Sequence, residues 1–347
     1  MLLLPCGSFT NPPWSSLLGS LNPSQIASLW NGLLAAVSQP RGPALTHLAV
    51  NERIPSSLPS HLTRGAEGGS ENILRSPTGL RLLHGDFGPN PERDASAFAS
   101  AFASALWVTT TQNGIIQTWA PRWTMFSRGN VKEKARLLGF PSAERGQGWA
   151  VDLYAGIGYF VFSYVRLGLR VLAWELNPWS VEGLRRGALA NGWGVKVVSG
   201  RDLDRPTWEV VGTENIVVFL EDNARAAGRI EEIRGEGQEV GVRHISCGFL
   251  PSSDKTWRAA WDILIGGLKS DGWLHLHENV GVADIARRRS EIQGMLDGWR
   301  EKLTEAEAKV EHVELVKTFA PGVWHCVFDV HVTNASGTSP PSRVISH

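Results

Sequence analysis

The stretch VDLYAGIGYF, Val151–Phe160, decides the fold. A short apolar run reaches an acid, Asp152, and then two glycines one residue apart, Gly156 and Gly158. That order reads as a strand running into a tight turn that opens a helix. Glycines there remove side chains, so backbone can approach a ligand closely. A dinucleotide turn, G-x-G-x-x-G, needs a third glycine. Here Val161 holds that place, which weakens the pyrophosphate reading.

Outward from this turn the texture alternates between strand and helix. Strands are expected at WAVDLYA from Trp149, RVLAWEL (Arg170–Leu176), NIVVFLED (Asn215–Asp222), HISCGFL (His244–Leu250) and WLHLHENV (Trp273–Val280). Helices fit between them at Tyr159–Leu167, Trp179–Ala190, Ala224–Ile233 and Asp254–Leu268, and a long polar helix is expected over about Asp284–Val310. Two last strands, HVELVKTFA and VWHCVFDVHVT, flank Pro321-Gly322. Short apolar strands with helical crossovers imply an α/β, mostly parallel, doubly wound sheet, and the closing hairpin makes one edge antiparallel. In such a sheet, ligands sit at the carboxyl ends of the strands where strand order reverses. Asp152, the glycine turn, Glu175 and the run Glu221-Asp222-Asn223 fall at three successive strand ends. A carboxylate at Glu175 suits ribose hydroxyls, in NAD and S-adenosylmethionine (SAM) enzymes alike, and Asp222-Asn223 suits an adenine amino group. The seven-strand plan with its hairpin, and Val161 at the third glycine position, favour the class I SAM-dependent methyltransferase-like architecture over an NAD fold.

Upstream, residues 1–70 are rich in Pro, Gly and Ser and form a poorly defined segment, with one helix expected at Pro23–Val37 behind Asn22 and a strand at Leu45–Val50. Ala66–Asn72 reads as a loop. Residues 71–135 are expected to form a small α+β domain, in which Asn113-Gly114 signals a hairpin. The SAM-binding transferase domain is placed at 136–335 and a disordered tail at 336–347. The chain has 347 residues, 42% hydrophobic and 20% charged, with 34 basic and 34 acidic residues. Zero net charge means that any polyanion site must be a local patch. Three separated cysteines offer neither a disulfide framework nor a zinc site. The apolar start MLLLP is too short to span a membrane, and the protein is read as cytoplasmic, with no metal, no membrane and no obligate protein partner.

The blocks DLYAGIGYF, WELNPWSVEGLRRGALANGW, FSRGNVKEKARL (Phe126–Leu137), CGFLPSS (Cys247–Ser253) and HLHENV (His275–Val280) together resemble one family, the tRNA guanine-37 N1-methyltransferases and wybutosine-synthesizing transferases. The resemblance covers about Ile73 to Val332 and is stronger to the wybutosine branch. It implies transfer of the 3-amino-3-carboxypropyl group of SAM to C7 of 4-demethylwyosine at position 37 of phenylalanine tRNA, in the anticodon loop, with methylthioadenosine as by-product. It also implies SAM contacts at Ser127, Lys134, Glu175, Asp222 and Asn223. Lys134 or Arg128 is a candidate grip on the SAM carboxylate. After the fourth strand, where amino-group methyltransferases carry an Asn, this chain has Ser246, followed by Cys247 to Pro251. His277 and Glu278, at the fifth strand end, are candidate catalytic residues; a packed histidine and a helix cap are the structural alternatives. Candidate substrate contacts are Arg128, Trp123, Phe126 and Pro251, with Arg122, Arg185, Arg186 and Arg287-Arg288-Arg289 as candidate phosphate-facing patches. Two other functions stand beside this one: guanine-37 N1-methylation, and RNA binding by a SAM fold without catalysis.

Overall fold

The structure is a computed structural model that describes residues 1–39, 42–51, 74, 77, 79–88, 98–140, 148–269, 271–300 and 306–334. The loop read at 66–72 and the tail read at 336–347 lie outside the described residues. The chain forms two compact units, Met1–Thr110 with Thr118–Phe126, and Thr111–Gln117 with Ser127–His347. This division differs from the sequence boundaries at 70 and 135.

In the first unit, β1 (Leu2–Leu4), β2 (Leu48–Val50) and β3 (Arg81–His84) form a three-stranded sheet in that order. Two helices come between β1 and β2, α1 (Pro12–Ser20) and α2 (Pro23–Val37), and α3 (Phe98–Ser104) follows β3. The expected helix at Pro23–Val37 forms because Asn22 and Gln25 close a capping box, each side chain bonding the other's backbone N–H, at 3.0 and 2.9 Å. Trp30 and Leu34 on its inner face meet Leu48, giving the segment its own small core. The expected hairpin also forms, β4 (Val108–Gln112) and β5 (Ile115–Trp119), and Asn113 and Gly114 both take positive φ, 53° and 73°. That pair of left-handed residues matches the right-handed twist of the strands.

The second unit is built on an eight-stranded sheet. After α4 (Val131–Leu138), the strands and helices run β6 (Trp149–Asp152), α5 (Val161–Arg166), β7 (Arg170–Trp174), α6 (Pro178–Ala190), β8 (Val195–Val198), α7 (Thr207–Val210), β9 (Ile216–Phe219) and α8 (Ala226–Gly235). They continue with β10 (Val242–Cys247), α9 (Trp257–Gly266), β11 (Asp271–Gly281), α10 (Ile285–Arg300), β12 (Ala306–Ala320) and β13 (Val323–Asn334). The sheet order is β12-β13-β11-β10-β6-β7-β9-β8. Every pair from β8 to β11 is parallel, and β13 is antiparallel to both β11 and β12.

Strand side chains alternate between two cores. Val151, Leu172 and Leu274 pack with α8, α9 and α10, and Ala150, Val171 and Ala173 pack with α4, α5 and α6. Both faces of the sheet are therefore covered by helices, which is why β6 is buried along its whole length.

Two elements differ from the sequence reading. The edge strand β8 was not expected, and it makes the sheet eight-stranded rather than seven. The polar helix is described as far as Arg300 and does not reach Val310, because residues 306–310 already belong to β12. There the burial alternates strictly, inward at Ala306, Ala308 and Val310, which is a period of two and not a helical face. The strand order reverses between the parallel neighbours β6 and β10, and the carboxyl ends of these strands are the switch point where a doubly wound sheet takes its ligand.

Candidate cofactor and acceptor site

The glycine turn is forced by chirality and by space. Gly156 has φ +53° and Gly158 φ +88°, values that L side chains rarely adopt. A Cβ on Gly156 would lie 2.9 Å from the Tyr159 ring, and one on Gly158 2.6 Å from the Phe162 ring. Val161, in the third-glycine place, is buried at the start of α5. The turn is tied to its neighbours at two points. Glu175, just past β7, accepts the Gly156 N–H at 2.8 Å and the Asn177 N–H at 2.7 Å. Asn223, past β9, donates its side-chain amide to the Leu153 carbonyl at 2.8 Å. Three strand ends thus meet at one loop, as expected.

The acids there differ in state. Burial pushes the Glu175 carboxyl up, and the three backbone N–H groups aimed at it hold it down. Asp152 accepts the Tyr154 N–H at 3.1 Å with one oxygen, and its other oxygen is buried with no partner. Burial, the main cause, raises its carboxyl to about 7. Asp222 is exposed and caps the short turn that follows it, accepting the Ala224 N–H at 2.8 Å. Glu221 turns away to pair with Arg229.

Ser127 and Lys134 lie beside the same loop. The Ser127 N–H donates to the Tyr159 hydroxyl at 3.1 Å. Lys134, on α4, is buried and gives its ammonium to the side-chain carbonyls of Gln112 and Gln117, over the Tyr159 ring at 5.4 Å. Burial, and then Lys317, lower it to about 8.

Across the crevice the two far motifs are laced together. Asn279 N–H donates to the Pro251 carbonyl at 2.7 Å, and the Ser253 hydroxyl donates to the His277 carbonyl at 2.9 Å. The Trp257 indole N–H then donates to the Ser253 hydroxyl at 2.8 Å. The Leu250–Pro251 bond is cis, and Phe249 stacks on Tyr154 with ring centroids 5.1 Å apart. The Ser246 hydroxyl is buried without a partner.

His277 is buried against Phe160 of the glycine turn, at 5.0 Å, and its Nδ1 bonds His325 Nε2 at 2.9 Å. Burial, and then His325, hold it well below the ordinary imidazole value, so it is neutral. Glu278 pairs with Arg288 through two contacts, at 2.7 and 3.1 Å. His275, read above beside His277, bonds Asp329 and His244. Among the described residues no group of three or more His, Cys, Asp or Glu side chains is arranged to hold a metal ion.

The basic candidates separate sharply. Arg185 and Arg186 pair with Glu182, Arg287 with Asp284 and Glu291, and Arg289 donates to the Val310 carbonyl. Arg128 is exposed. In the first unit, Phe126 stacks on Trp119 at 4.3 Å, and Arg122 lies over Trp123 at 5.4 Å. Sequence reasoning missed Lys317 and His325, which form one row with Asn279 because β11, β13 and β12 pair, and Lys317 reaches Ser127.

No family model matches the chain. It is, however, 42% identical over 288 residues to tRNA wybutosine-synthesizing protein 2 of Schizosaccharomyces pombe, over 82% of this chain and 61% of that protein. The chain is thus similar to tRNA wybutosine-synthesizing protein 2. The Saccharomyces cerevisiae protein of that name is 36% identical over 315 residues, covering 84% of this chain and 61% of its own length. The chain spans 61% of the length of each of these two relatives. Among solved structures, TYW2 of Pyrococcus horikoshii in complex with MeSAdo aligns over 91% of this chain and 87% of its own, with a TM-score of 0.53 and 18% identity. Trm5b of Pyrococcus abyssi aligns over 84% of this chain and 65% of its own, with a TM-score of 0.51 and 16% identity. Both share the fold of this chain.

Proposed function

We propose that this chain transfers the 3-amino-3-carboxypropyl group of SAM to C7 of 4-demethylwyosine at position 37 of phenylalanine tRNA. The observation that carries the reading is the tie between Glu175, just past β7, and the Gly156 N–H of the turn after β6. It presents a carboxylate and a side-chain-free turn to the same ligand, which suits a ribose and the adenosyl group it bears. The unpartnered Asp152 and Ser246 oxygens leave further polar capacity in that crevice. The name of the S. pombe relative points to the same pathway.

SAM supplies a carbon activated by its sulfonium. The C7–Cγ bond forms as the Cγ–S bond breaks; sulfur keeps the electron pair and leaves as methylthioadenosine, and the C7 proton is lost to solvent. The chain's own contribution is positioning. Gly156 and Gly158 admit the adenosyl end, Glu175 faces the ribose, and Asp222-Asn223 lie at the adenine side. Pro251 and the Tyr154–Phe249 stack line the opposite wall. His277, neutral and covered by Phe160, supports that wall rather than reaching a reacting atom, and Glu278 holds the start of α10 through Arg288. Ser246, in place of the Asn of amino-group methyltransferases, removes the carboxamide that would receive a base amine. The acceptor base belongs to the anticodon loop, for which Arg128 of the second unit is the phosphate contact.

Incubation of the protein with phenylalanine tRNA bearing 4-demethylwyosine and SAM labelled separately in its carboxyl and methyl groups tests the proposal. Carboxyl label should enter the tRNA and methyl label should not. Methyl label alone in the tRNA would replace this function with guanine-37 N1-methylation.

A further inference from the structure

At the carboxyl end of β11 three polar residues form one row across three strands. Asn279 of β11 is paired with His325 of β13, and His325 with Lys317 of β12. Directly opposed residues of antiparallel strands point to the same face. Leu276 and Val280 of β11 pack with α8, α9 and α10, so Asn279 faces the side that carries α4 and α5.

Lys317 leaves this row and donates to the Ser127 hydroxyl at 2.9 Å and to the Asn130 carboxamide oxygen at 3.1 Å. Its stem runs so close to Gly129 that a Cβ there would lie 2.5 Å from Lys317 Cδ. The turn Ser127–Asn130 is thus shaped around this lysine. Through the Ser127 N–H and the Tyr159 hydroxyl the same turn is joined to the glycine loop, whose Gly156 leaves room for the Tyr159 ring.

The charges in this corner do not balance. The neighbouring carboxylates are engaged elsewhere: Glu133 and Asp329 with Arg136, Glu175 with backbone N–H groups, Glu278 with Arg288. Among the described residues, Lys317 forms hydrogen bonds to neutral oxygens and no ion pair. Its charge is felt around it, lowering Lys134 after burial does, and His325 likewise, to about 4. In the same row, one and two strands from Lys317, the Nδ1 of His325 and both amide atoms of Asn279 are buried without a partner. A cation withdrawn from water calls for an anion, and this partly buried one is joined through Ser127 and Tyr159 to the glycine loop.

We infer that Lys317 receives the carboxylate of the donor's aminocarboxypropyl chain, with the Asn279 carboxamide beside it for the chain's amino group. The inference rests on the transferase reading and names the residue that holds the group being transferred. Arg128 is exposed, and Lys134 spends its ammonium on Gln112 and Gln117, so the closing hairpin, not α4, supplies the counter-charge. An ammonium–carboxylate pair in a half-buried site is a strong, charge-assisted contact. Fixing the far end of the chain sets where Cγ stands relative to the sulfur and the acceptor, which is the choice that separates carboxypropyl from methyl transfer.

Calorimetric titration of the full chain with SAM, decarboxylated SAM and methylthioadenosine tests this. Wild type should bind SAM roughly tenfold to hundredfold more tightly than decarboxylated SAM. Lys317→Met should bring SAM down to the level of decarboxylated SAM and leave methylthioadenosine unchanged, and Lys317→Arg should restore part of the difference. Lys317→Gln serves the same comparison if the methionine variant does not fold. Equal loss of SAM and methylthioadenosine would make Lys317 a structural residue and overturn the inference. Unchanged SAM affinity with weakened tRNA binding would overturn it in favour of a phosphate contact. Wild type that binds neither SAM nor methylthioadenosine would instead remove the transferase reading on which the inference stands.

Discussion

Replacing Asp152 by asparagine should stabilise the ligand-free protein as pH rises, opposite to the usual cost of losing a charge-bearing side chain. Asp152 is fully buried; one oxygen takes the Tyr154 N–H at 3.1 Å and the other has no partner. Burial is the largest cause of its displacement, with Glu175 adding to it and the Tyr154 N–H opposing it, and the carboxyl moves from 3.8 to about 7. A raised carboxyl means that folding favours the neutral acid. The unfolded chain ionises this group near the lower value and the folded chain near the higher. Its stability contribution is therefore complete below the lower value, declines between the two, and is lost above the higher. The slope is about 1.4 kcal/mol per pH unit. From about pH 5 to the folded value near 7, the loss is about 3 kcal/mol. Asparagine keeps an acceptor for the Tyr154 N–H and has nothing to ionise. Urea titrations followed by tryptophan fluorescence, in the absence of ligand, should show Asp152→Asn gaining about 3 kcal/mol on wild type between about pH 5 and pH 8. Parallel pH profiles for the two proteins would refute the reasoning.

Ser253→Ala removes the hydroxyl that serves both the His277 carbonyl and the Trp257 indole N–H, leaving a buried donor unpaired; a loss of about 2 kcal/mol in urea unfolding is expected, and a change below about 0.5 kcal/mol would contradict the lacing of the two far motifs. Gly158→Ala puts a side chain at φ +88° and against the Phe162 ring; destabilisation of about 2 kcal/mol or more is expected, together with loss of SAM binding by calorimetry, and normal SAM affinity would show that the turn does not seat the ligand. Arg128→Ala should weaken tRNA binding and lower the slope of log affinity against log salt by about 1, with SAM affinity intact; an unchanged slope would exclude a phosphate contact there.

The legible parts of the fold are those where a residue type answers to one backbone state. Gly156, Gly158 and Asn113-Gly114 occupy left-handed conformations, so their places in the sequence announce turns. The acids at Glu175 and Asp222 mark strand ends because the strands before them are continuous apolar runs. The edge strand β8 escaped because VKVV is short and only its last residue is fully buried. The start of β12 escaped because AEAKV reads as polar helix unless its alternation is noticed. The site residues divide in the same way. Glu175 and Asn223, read at strand ends, do meet the glycine turn. Lys317 reaches Ser127 across 190 positions, and no local spacing signals such a contact. In the run Arg287-Arg288-Arg289, Arg288 is held by Glu278, and Arg287 and Arg289 have partners close by.

The nucleoside at position 37 of phenylalanine tRNA, recovered by nuclease digestion after incubation with this protein and SAM and weighed by mass spectrometry, tests the central claim most directly. The expected product is 4-demethylwyosine carrying an aminocarboxypropyl group, with methylthioadenosine released in equal amount. A methylated nucleoside accompanied by S-adenosylhomocysteine would contradict it.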